Sequence, residues 1–339
     1  MKERSFMLIL VTLTGLGVLC LGCGGDDTTR PGDNPPEPKW TTYNTTNSGL
    51  ANDKVTGVAV DVSGIKWFST DGGGVSRLSG TSWMTYTTSN SGGTITMSLW
   101  GVAVDASNKK WFSSWGLGVT SFDGDTWTMY TPGNSGLSDG YVGAMAAGGS
   151  NVMWFGTEEH GAIKLDGATW TTYDTLNSGI AHNHLSAIAV DPSGNVWFGT
   201  SGLGVSKFDG STWTTYDLSN SGLANSYVNA IAFDASGTAW IGTFGGGVNK
   251  FDGSTWTTYN TSNSGLVNNY VRAIVIDASG TKWFGTDPGG VSKFDGTNWT
   301  TFTASNSGLA SNKIFAMAID GSGNKWFATY GGGVSKLHE

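Results

Sequence analysis

The chain has 339 residues, a formal net charge of −8 and 53 glycines, and only 13% of its residues are charged. Its lysines and arginines are scattered, so it lacks the basic patch that a phosphate backbone requires, and nucleic acid is not expected as a partner. The glycines, together with 16 tryptophans, suit tight turns between aromatic-rich strands and favour an all-β fold.

The first 22 residues predict a lipoprotein-type signal peptide. Two basic residues precede an apolar run over residues 6–21, and the run ends at a cysteine. The tetrad from Cys20 to Cys23 resembles the bacterial lipobox, although Cys20 stands where leucine is usual. The resemblance implies lipidation of Cys23. An uncleaved anchor and plain secretion are the alternatives, but the apolar run is short for a membrane span.

Residues 23–39 are predicted to form a flexible tether. This segment is rich in glycine, aspartate and proline, and it holds four of the seven prolines. Such a composition cannot bury enough apolar surface to fold. Both cysteines of the chain lie at residues 20 and 23, so no disulfide is expected in the body that follows.

Residues 40–339 repeat one unit. Two series of tryptophans recur at a spacing of 43, with one step of 44 in each series: Trp40, Trp83, Trp127, Trp170, Trp213, Trp256 and Trp299, and Trp67, Trp111, Trp154, Trp197, Trp240, Trp283 and Trp326. A fixed period of about 40–45 residues built from short strands is typical of a β-propeller. These tryptophans are interpreted as structural, because they fill the space between blades.

The fifth copy shows the unit clearly. It predicts four antiparallel strands at 228–233, 239–243, 248–251 and 255–259, separated by glycine-containing turns. The connection Asn263-Ser264-Gly265-Leu266, in which glycine is expected to supply a positive φ, then leads to the next unit.

The two ends of the repeat predict how the ring closes. The pattern begins with an isolated outer strand at 40–43 and stops after a third strand at 334–337. Pairing these two strands completes the last blade and leaves no open sheet edge. The sequence therefore predicts an all-β, seven-bladed propeller with four-stranded antiparallel blades.

The repeat unit of blade five resembles a known one. Residues 228–243, with Asp234, Gly237 and the run from Trp240 to Thr243, closely resemble the two-component regulator propeller repeat. Blade three departs from it, because glycine and serine at 148–150 replace the aspartate turn. The resemblance implies either a periplasmic sensor domain or an exported propeller that binds glycans or assists surface assembly. The sequence shows no kinase or DNA-binding segment, so we expect the exported propeller.

Variable positions predict a ligand-binding site. The loops between the second and third strands of each blade should share a face with the blade-to-blade connections. On this face two columns of the repeat vary and carry aromatic and basic residues, which suit sugar rings or peptides. The candidate ligand-binding residues are Trp100, Trp115, Phe244, Arg272, Phe315 and Tyr330. Drift at solvent-exposed loop tips is the alternative interpretation.

A group of histidines and glutamates on the same face raises the hypothesis of a divalent metal site. Its candidate ligands are Glu158, Glu159, His160, His182 and His184. Histidines in loops commonly just face water, so the alternative is that no cofactor is bound.

The sequence therefore predicts a monomeric, non-catalytic binding module, lipid-anchored in the bacterial cell envelope and facing the periplasm or the cell surface. Its expected partner is a glycan, a cell-wall component or an envelope protein. Two alternatives stay open: a metal-dependent lyase or hydrolase that uses the histidine group, and a structural subunit of a surface assembly.

Overall fold

The computed structural model describes residues 39–149 and 151–338. The predicted signal peptide, most of the tether and Cys23 lie outside the described residues. Within the two described ranges the regular structure consists of strands, and no helix there is long and apolar enough to cross a membrane.

The strands form seven four-stranded antiparallel sheets, which are the blades. The chain opens with β1 (Lys39–Tyr43). Blade one is β2 (Val55–Val60), β3 (Lys66–Thr70), β4 (Gly74–Ser79) and β5 (Ser82–Tyr86). Blade two is β6 (Leu99–Val104), β7 (Lys110–Ser114), β8 (Gly118–Phe122) and β9 (Trp127–Tyr130). Blade three is β10 (Val142–Ala147), β11 (Val152–Thr157), β12 (Ala162–Asp166) and β13 (Thr169–Tyr173).

Blades four to seven repeat the same order. Blade four is β14 (Leu185–Val190), β15 (Val196–Thr200), β16 (Val205–Phe208) and β17 (Trp213–Tyr216). Blade five is β18 (Val228–Phe233), β19 (Ala239–Thr243), β20 (Val248–Phe251) and β21 (Trp256–Tyr259). Blade six is β22 (Val271–Ile276), β23 (Lys282–Thr286), β24 (Gly290–Phe294) and β25 (Trp299–Phe302). Blade seven is β26 (Ile314–Ile319), β27 (Lys325–Thr329) and β28 (Gly333–His338), with β1 on its outer edge.

The ring closes as predicted. Strand β1 pairs antiparallel with β28, with Trp40 opposite Leu337 and Tyr43 opposite Val334. The indole of Trp40 lies 5.6 Å from the Phe302 ring of blade six and 5.5 Å from the Phe327 ring, measured between ring centroids. The seven-bladed architecture predicted from the repeat is therefore confirmed.

The core lies between neighbouring blades. The second tryptophan series is buried throughout, and each member is at most 4% exposed. Each hydrophobic cluster joins side chains of adjacent blades, such as Trp240 of blade five with Phe284 and Phe294 of blade six. Burying rings of this size contributes several kcal/mol each before entropy is counted. The structural role predicted for these tryptophans follows from this packing.

The glycine of the Asn-Ser-Gly-Leu connection has a different role from the one predicted. Gly265 does not have a positive φ. A Cβ added to it would lie 2.3 Å from the Cβ of Trp299, the outer tryptophan of the next blade. The glycine therefore allows one blade to approach the next. The asparagine caps the turn as predicted: Asn260 donates its backbone N–H to Asn263 Oδ1 over 2.9 Å.

The turn between the first two strands contains an aspartate in six blades. One carboxylate oxygen accepts backbone N–H groups of the turn, and the other accepts the indole N–H of the buried tryptophan, as in Asp320 and Trp326 at 2.9 Å. Burial raises the pKa of the Asp320 carboxyl, but hydrogen bonds from Asn324 and Trp326 and the nearby Lys66 lower it more, so this pKa lies below its ordinary value.

Lysines join neighbouring blades beside these aspartates. Lys66 of blade one lies 3.4 Å from Asp320 of blade seven, and Lys110 of blade two lies 3.4 Å from Asp61 of blade one. The same pairing joins blades five and six, and blades six and seven. We call these contacts the inter-blade ion pairs.

Candidate functional site

The loops between the second and third strands share one face with the blade-to-blade connections, as the antiparallel order requires. We call this surface the variable face. Its two sets of loops are joined by backbone hydrogen bonds: the Phe244 N–H donates to the carbonyl of Tyr227 over 2.9 Å, and the Tyr330 N–H donates to that of Lys313 over 3.0 Å. The same bond recurs in blades one, three, four and six. A rigid backbone therefore positions the variable side chains.

Every inner strand carries a β-bulge at the variable face. The register shifts around the second residue of each inner strand, namely Thr56, Trp100, Gly143, Ser186, Asn229, Arg272 and Phe315. A bulge adds one unpaired residue and redirects its side chain. These seven positions are one of the two variable columns seen in the sequence, so the bulge explains why the fold tolerates any side chain there.

Small polar residues at the bulge bond to the next blade. The Thr56 hydroxyl donates to the carbonyl of Leu99 over 2.8 Å, and the Asn229 amide donates to that of Val271 over 3.3 Å. The Ser186 hydroxyl bonds to the carbonyl of Val228 in the same way. Large residues at the bulge instead extend toward the loops.

Arg272 lies at the centre of one group of aromatic rings. Its guanidinium carbon is 3.9 Å from the centroid of the Phe315 ring and 5.5 Å from that of the Tyr270 ring. It also lies 3.7 Å from the Asp287 carboxylate, and the two side chains are 23% and 20% exposed. Cation–π contacts of this kind favour a planar, charged group between aromatic faces.

Rings extend from Arg272 in both directions. Phe315 stacks on Tyr330, with centroids 4.7 Å apart and an angle of 18° between the planes. On the other side Phe244 meets Tyr270 edge-on at 4.3 Å, and Tyr227 lies 6.5 Å from Phe244. We call these five rings and Arg272 the Arg272 cluster.

A hydrogen-bonded bridge carries the cluster across the closure of the ring. The Tyr330 hydroxyl of blade seven donates to the Asp71 carboxylate of blade one over 3.0 Å. Ser98, two residues before Trp100, donates its hydroxyl to the same carboxylate over 2.9 Å. Asp71 therefore links the loops of blades seven, one and two.

A second aromatic group begins where this bridge ends. The centroids of the Trp100 and Trp115 rings are 5.1 Å apart, and Tyr141 meets Trp115 edge-on at 5.3 Å. Together with the Arg272 cluster and Asp71 these three rings form what we call the aromatic arc. It runs from the junction of blades four and five, through blades five, six, seven, one and two, to the junction of blades two and three.

The rings at both ends of the aromatic arc are open to solvent. Trp115 is 51% exposed, Phe244 51% and Tyr227 52%, whereas Phe315 and Tyr330 in the middle are partly covered. Exposed rings with fixed orientations next to a guanidinium and a carboxylate can stack on a ligand ring and bond its polar groups. The arrangement is suited to binding. Its members include no nucleophile with an adjacent base.

The six predicted ligand-binding residues all lie on this face, and the structure joins them into the aromatic arc. Three further rings were missed by sequence reasoning. Tyr141, Tyr227 and Tyr270 occupy the same position of the repeat, directly before the inner strand. The recurrence of tyrosine at this one position of the repeat is the sequence signal that indicates them.

The five predicted metal ligands do not come together. Within residues 39–149 and 151–338 no group of three or more histidine, cysteine, aspartate or glutamate side chains is placed to hold a metal ion. His160 lies 3.4 Å from Asp139 instead, through its Nδ1 atom. His182 Nδ1 accepts the backbone N–H of His184 over 2.8 Å.

The repeat explains the position of His182. In five of the six other connections the equivalent residue caps the same turn with its side chain, as Asn225 does for Tyr227 and Asn268 does for Tyr270. The imidazole nitrogen of His182 substitutes for the amide oxygen of these asparagines, so it points into its own loop. Glu158 and Glu159 are fixed through their backbone: the Glu158 N–H donates to the Tyr141 carbonyl and the Glu159 N–H donates to the Asp139 carboxylate, both over 3.1 Å.

Two segments of the chain match a known family. Residues 179–202 and 222–245 match the two component regulator propeller family. No curated protein matches the chain at a significant level.

Solved structures share the fold at low sequence identity. The extracellular domain of BT3049 from B. thetaiotaomicron, assigned as a hybrid two component system, is 20% identical with a TM-score of 0.76; the match covers 88% of this chain and 41% of that one. PorZ of the type-IX secretion system of Porphyromonas gingivalis is 18% identical with a TM-score of 0.69, covering 86% and 47%. A streptogramin B lyase is 16% identical with a TM-score of 0.69, covering 89% and 97%.

The chain therefore spans about two fifths of the length of the first of these structures. At such identities the likeness establishes the propeller fold and nothing about ligand or reaction.

Proposed function

We propose that this chain, which is built of two-component regulator propeller repeats, is a non-catalytic binding module that holds its ligand on the variable face. The observation that carries the proposal is the aromatic arc. It joins solvent-exposed rings on one face of the ring of blades, and the opposite face repeats aspartate and glycine turns in six of the seven blades.

The chemistry of the aromatic arc favours a ligand with ring faces and polar edges, such as a glycan or a peptide segment. Exposed tryptophan and tyrosine rings supply stacking surfaces at low entropic cost. Arg272 and Asp71 supply a donor and an acceptor within the same row. A cell-wall component or an envelope protein would offer these groups.

We place the module outside the cytoplasm. Support comes from the signal-like first 22 residues and from the extracellular or surface origin of the similar propellers. Lipid attachment at Cys23 is part of the same proposal. A metal-dependent lyase is not proposed, because its five expected ligands do not converge.

Binding of glycans and envelope extracts to the immobilised protein tests this function. We expect Trp115→Ala to weaken the binding of the active fraction about 2- to 13-fold, because stacking on one aromatic ring is worth about 0.5–1.5 kcal/mol beyond the area it buries. Val62→Ala is the matched control: Val62 is 76% exposed in a turn of the opposite face. Equal loss in both variants, or no binding from any fraction, would contradict the proposal.

A further inference from the structure

Four lysines, two of them buried and two partly buried, occupy equivalent sites between blades. Each lysine begins the second strand of a blade and reaches back to the preceding blade, where its Nζ lies near an aspartate and over a tryptophan. The Nζ-to-carboxylate distances are 3.4, 3.4, 3.9 and 3.6 Å for Lys66, Lys110, Lys282 and Lys325. The distances to the tryptophan ring centroids are 5.2, 5.3, 4.9 and 5.1 Å. The fold thus builds a site for a primary ammonium group at these junctions.

Blade two retains the acceptor half of this site without the lysine. Asp105 is 9% exposed, and its carboxylate accepts the indole N–H of Trp111 over 2.8 Å and the backbone N–H groups of Ser107 and Lys109, both over 2.9 Å. These donors match those of Asp61 in blade one, where Lys110 adds the positive charge. At the lysine position of blade three stands Met153, an uncharged residue.

A cavity of about 110 Å³ opens at this junction. Asp105, Trp111 and Tyr130 of blade two line it together with Asn151 and Met153 of blade three. Lys109 also lines it, with its ammonium group 5.7 Å from the centroid of the Trp111 ring. The cavity therefore combines a buried carboxylate, aromatic faces and an apolar thioether with the ammonium group of Lys109 at its lining.

The other two junctions without a lysine differ from this one. In blade four the Asn195 amide donates to the Asp191 carboxylate over 2.7 Å, and the residue that replaces the lysine is Ala239. In blade three the aspartate is itself replaced by Gly148, so no carboxylate needs a partner. At the junction of blades two and three the carboxylate remains, and space lies beside it.

We propose that this cavity binds a primary alkylammonium group, either of a free amine or of a lysine side chain on a partner molecule. The carboxylate of Asp105 accepts its N–H donors, Trp111 and Tyr130 cover its charge, and Met153 packs against its alkyl chain. A buried carboxylate gains most from a ligand that is both charged and able to donate hydrogen bonds. The site lies on the face opposite the aromatic arc and is independent of the function proposed there.

Titration calorimetry with n-propylammonium chloride tests the site, with n-propanol and sodium chloride as controls for the alkyl chain and for salt. We expect saturable binding of one equivalent to the natural chain, and none of n-propanol. Met153→Lys supplies the ammonium group internally, so binding should be lost while the melting temperature rises by about 2–4 °C. Met153→Leu is the matched control and should retain binding. Asp105→Asn should abolish it.

A lysine blocked at both its amino and carboxyl ends, compared with its Nζ-acetylated form, distinguishes the two sources. Binding of n-propylammonium and of the free-Nζ lysine, but not of the acetylated lysine, would indicate a lysine side chain as the ligand. Binding of n-propylammonium but of neither blocked lysine would indicate a free amine. Absence of saturable n-propylammonium binding, or equal binding by the natural chain and Met153→Lys, would overturn the proposal. So would a Met153→Lys variant that folds but melts below Met153→Leu.

Discussion

The seven blade junctions fall into two sectors that differ in charge. The four consecutive junctions from blade five, through blades six, seven and one, to blade two contain the inter-blade ion pairs. The three junctions from blade two to blade five replace the lysine with Met153, Val196 and Ala239. The packing of aromatic rings between blades continues through both sectors. The ion pairs are therefore an addition to the hydrophobic ring, and three junctions close without them.

The aromatic arc lies mainly above the ion-paired sector. Phe244, Arg272, Phe315, Tyr330, Asp71 and Trp100 belong to blades five, six, seven, one and two, in ring order. The predicted metal ligands lie above the other sector, in blades three and four. A binding surface gains affinity when the elements beneath it are fixed. We infer that the ion pairs hold the five blades of the aromatic arc in register.

The largest expected effect is the loss of one inter-blade ion pair. Lys110→Met places at the junction of blades one and two the residue type that Met153 provides at the junction of blades two and three. The Asp61 side chain, which is only 1% exposed, then lacks its cation. Breaking a buried pair in this way costs about 3–5 kcal/mol of unfolding free energy. Guanidinium unfolding followed by tryptophan fluorescence measures it.

The double variant Lys110→Met with Asp61→Asn is the control, because it removes the stranded charge together with its partner. It should recover part of the loss, because the charge is gone but the introduced amide nitrogen cannot accept the Trp67 indole N–H that Asp61 Oδ2 accepts. A single-variant loss below about 1 kcal/mol would mean that this pair behaves as a solvated surface pair. The two sectors would then be equivalent in stability.

A smaller effect is expected from acid. In the ion-paired sector burial raises the pKa of Asp277, but hydrogen bonds from Ser279, Trp283 and the backbone and the charge of Lys325 lower it more, so this pKa lies below its ordinary value. In the other sector hydrogen bonds from Asn195 and Trp197 outweigh burial at Asp191 in the same direction. The unfolded chain therefore takes up protons first. The stability from both carboxylates is fully present above about pH 4 and is lost as the pH falls through their folded pKa values.

Urea unfolding between pH 7 and pH 2.5 separates the two sectors. Asp277→Asn and Asp191→Asn should both flatten the acid limb of the stability curve. At pH 7 Asp277→Asn should cost more, because it leaves the buried Lys325 facing a neutral amide, whereas Asp191 faces the neutral Asn195. Equal costs at pH 7 would remove the distinction between the sectors.

The repeat allowed most of the architecture to be predicted from sequence. Equivalent residues occupy the same place within their own blades. The spacing of the repeat therefore predicted the blades, the closing strand and the common face of all six ligand-binding candidates. In blade five the predicted strands agree with the structure, except that the last begins at Trp256 and not at 255. The position of a residue within the repeat therefore predicted correctly which face of the propeller it occupies.

Contacts between neighbouring blades could not be predicted from the position of a residue within its own repeat. The role of Gly265 depends on Trp299 of the next blade, and that of Lys110 depends on Asp61 of the preceding one. His182 resembled a metal ligand by residue type, but its position is that of a turn-capping asparagine. The residue type alone therefore suggested a metal ligand at a position where the repeat has a structural, turn-capping side chain.

The smallest effect concerns the bridge of the aromatic arc across the ring closure. Tyr330→Phe keeps the ring stacked on Phe315 and removes only the hydroxyl that donates to Asp71. We expect a loss of about 0.5–1.5 kcal/mol of unfolding free energy. Tyr227→Phe is the matched control, because the Tyr227 side chain is 52% exposed and its hydroxyl takes no part in the bridge to Asp71. If the ion pair between Lys66 and Asp320 already fixes blade seven against blade one, Tyr330→Phe will cost stability without changing ligand affinity. A parallel fall in affinity would instead show that the bridge itself orders the aromatic arc, and the ion pairs beneath it would not suffice.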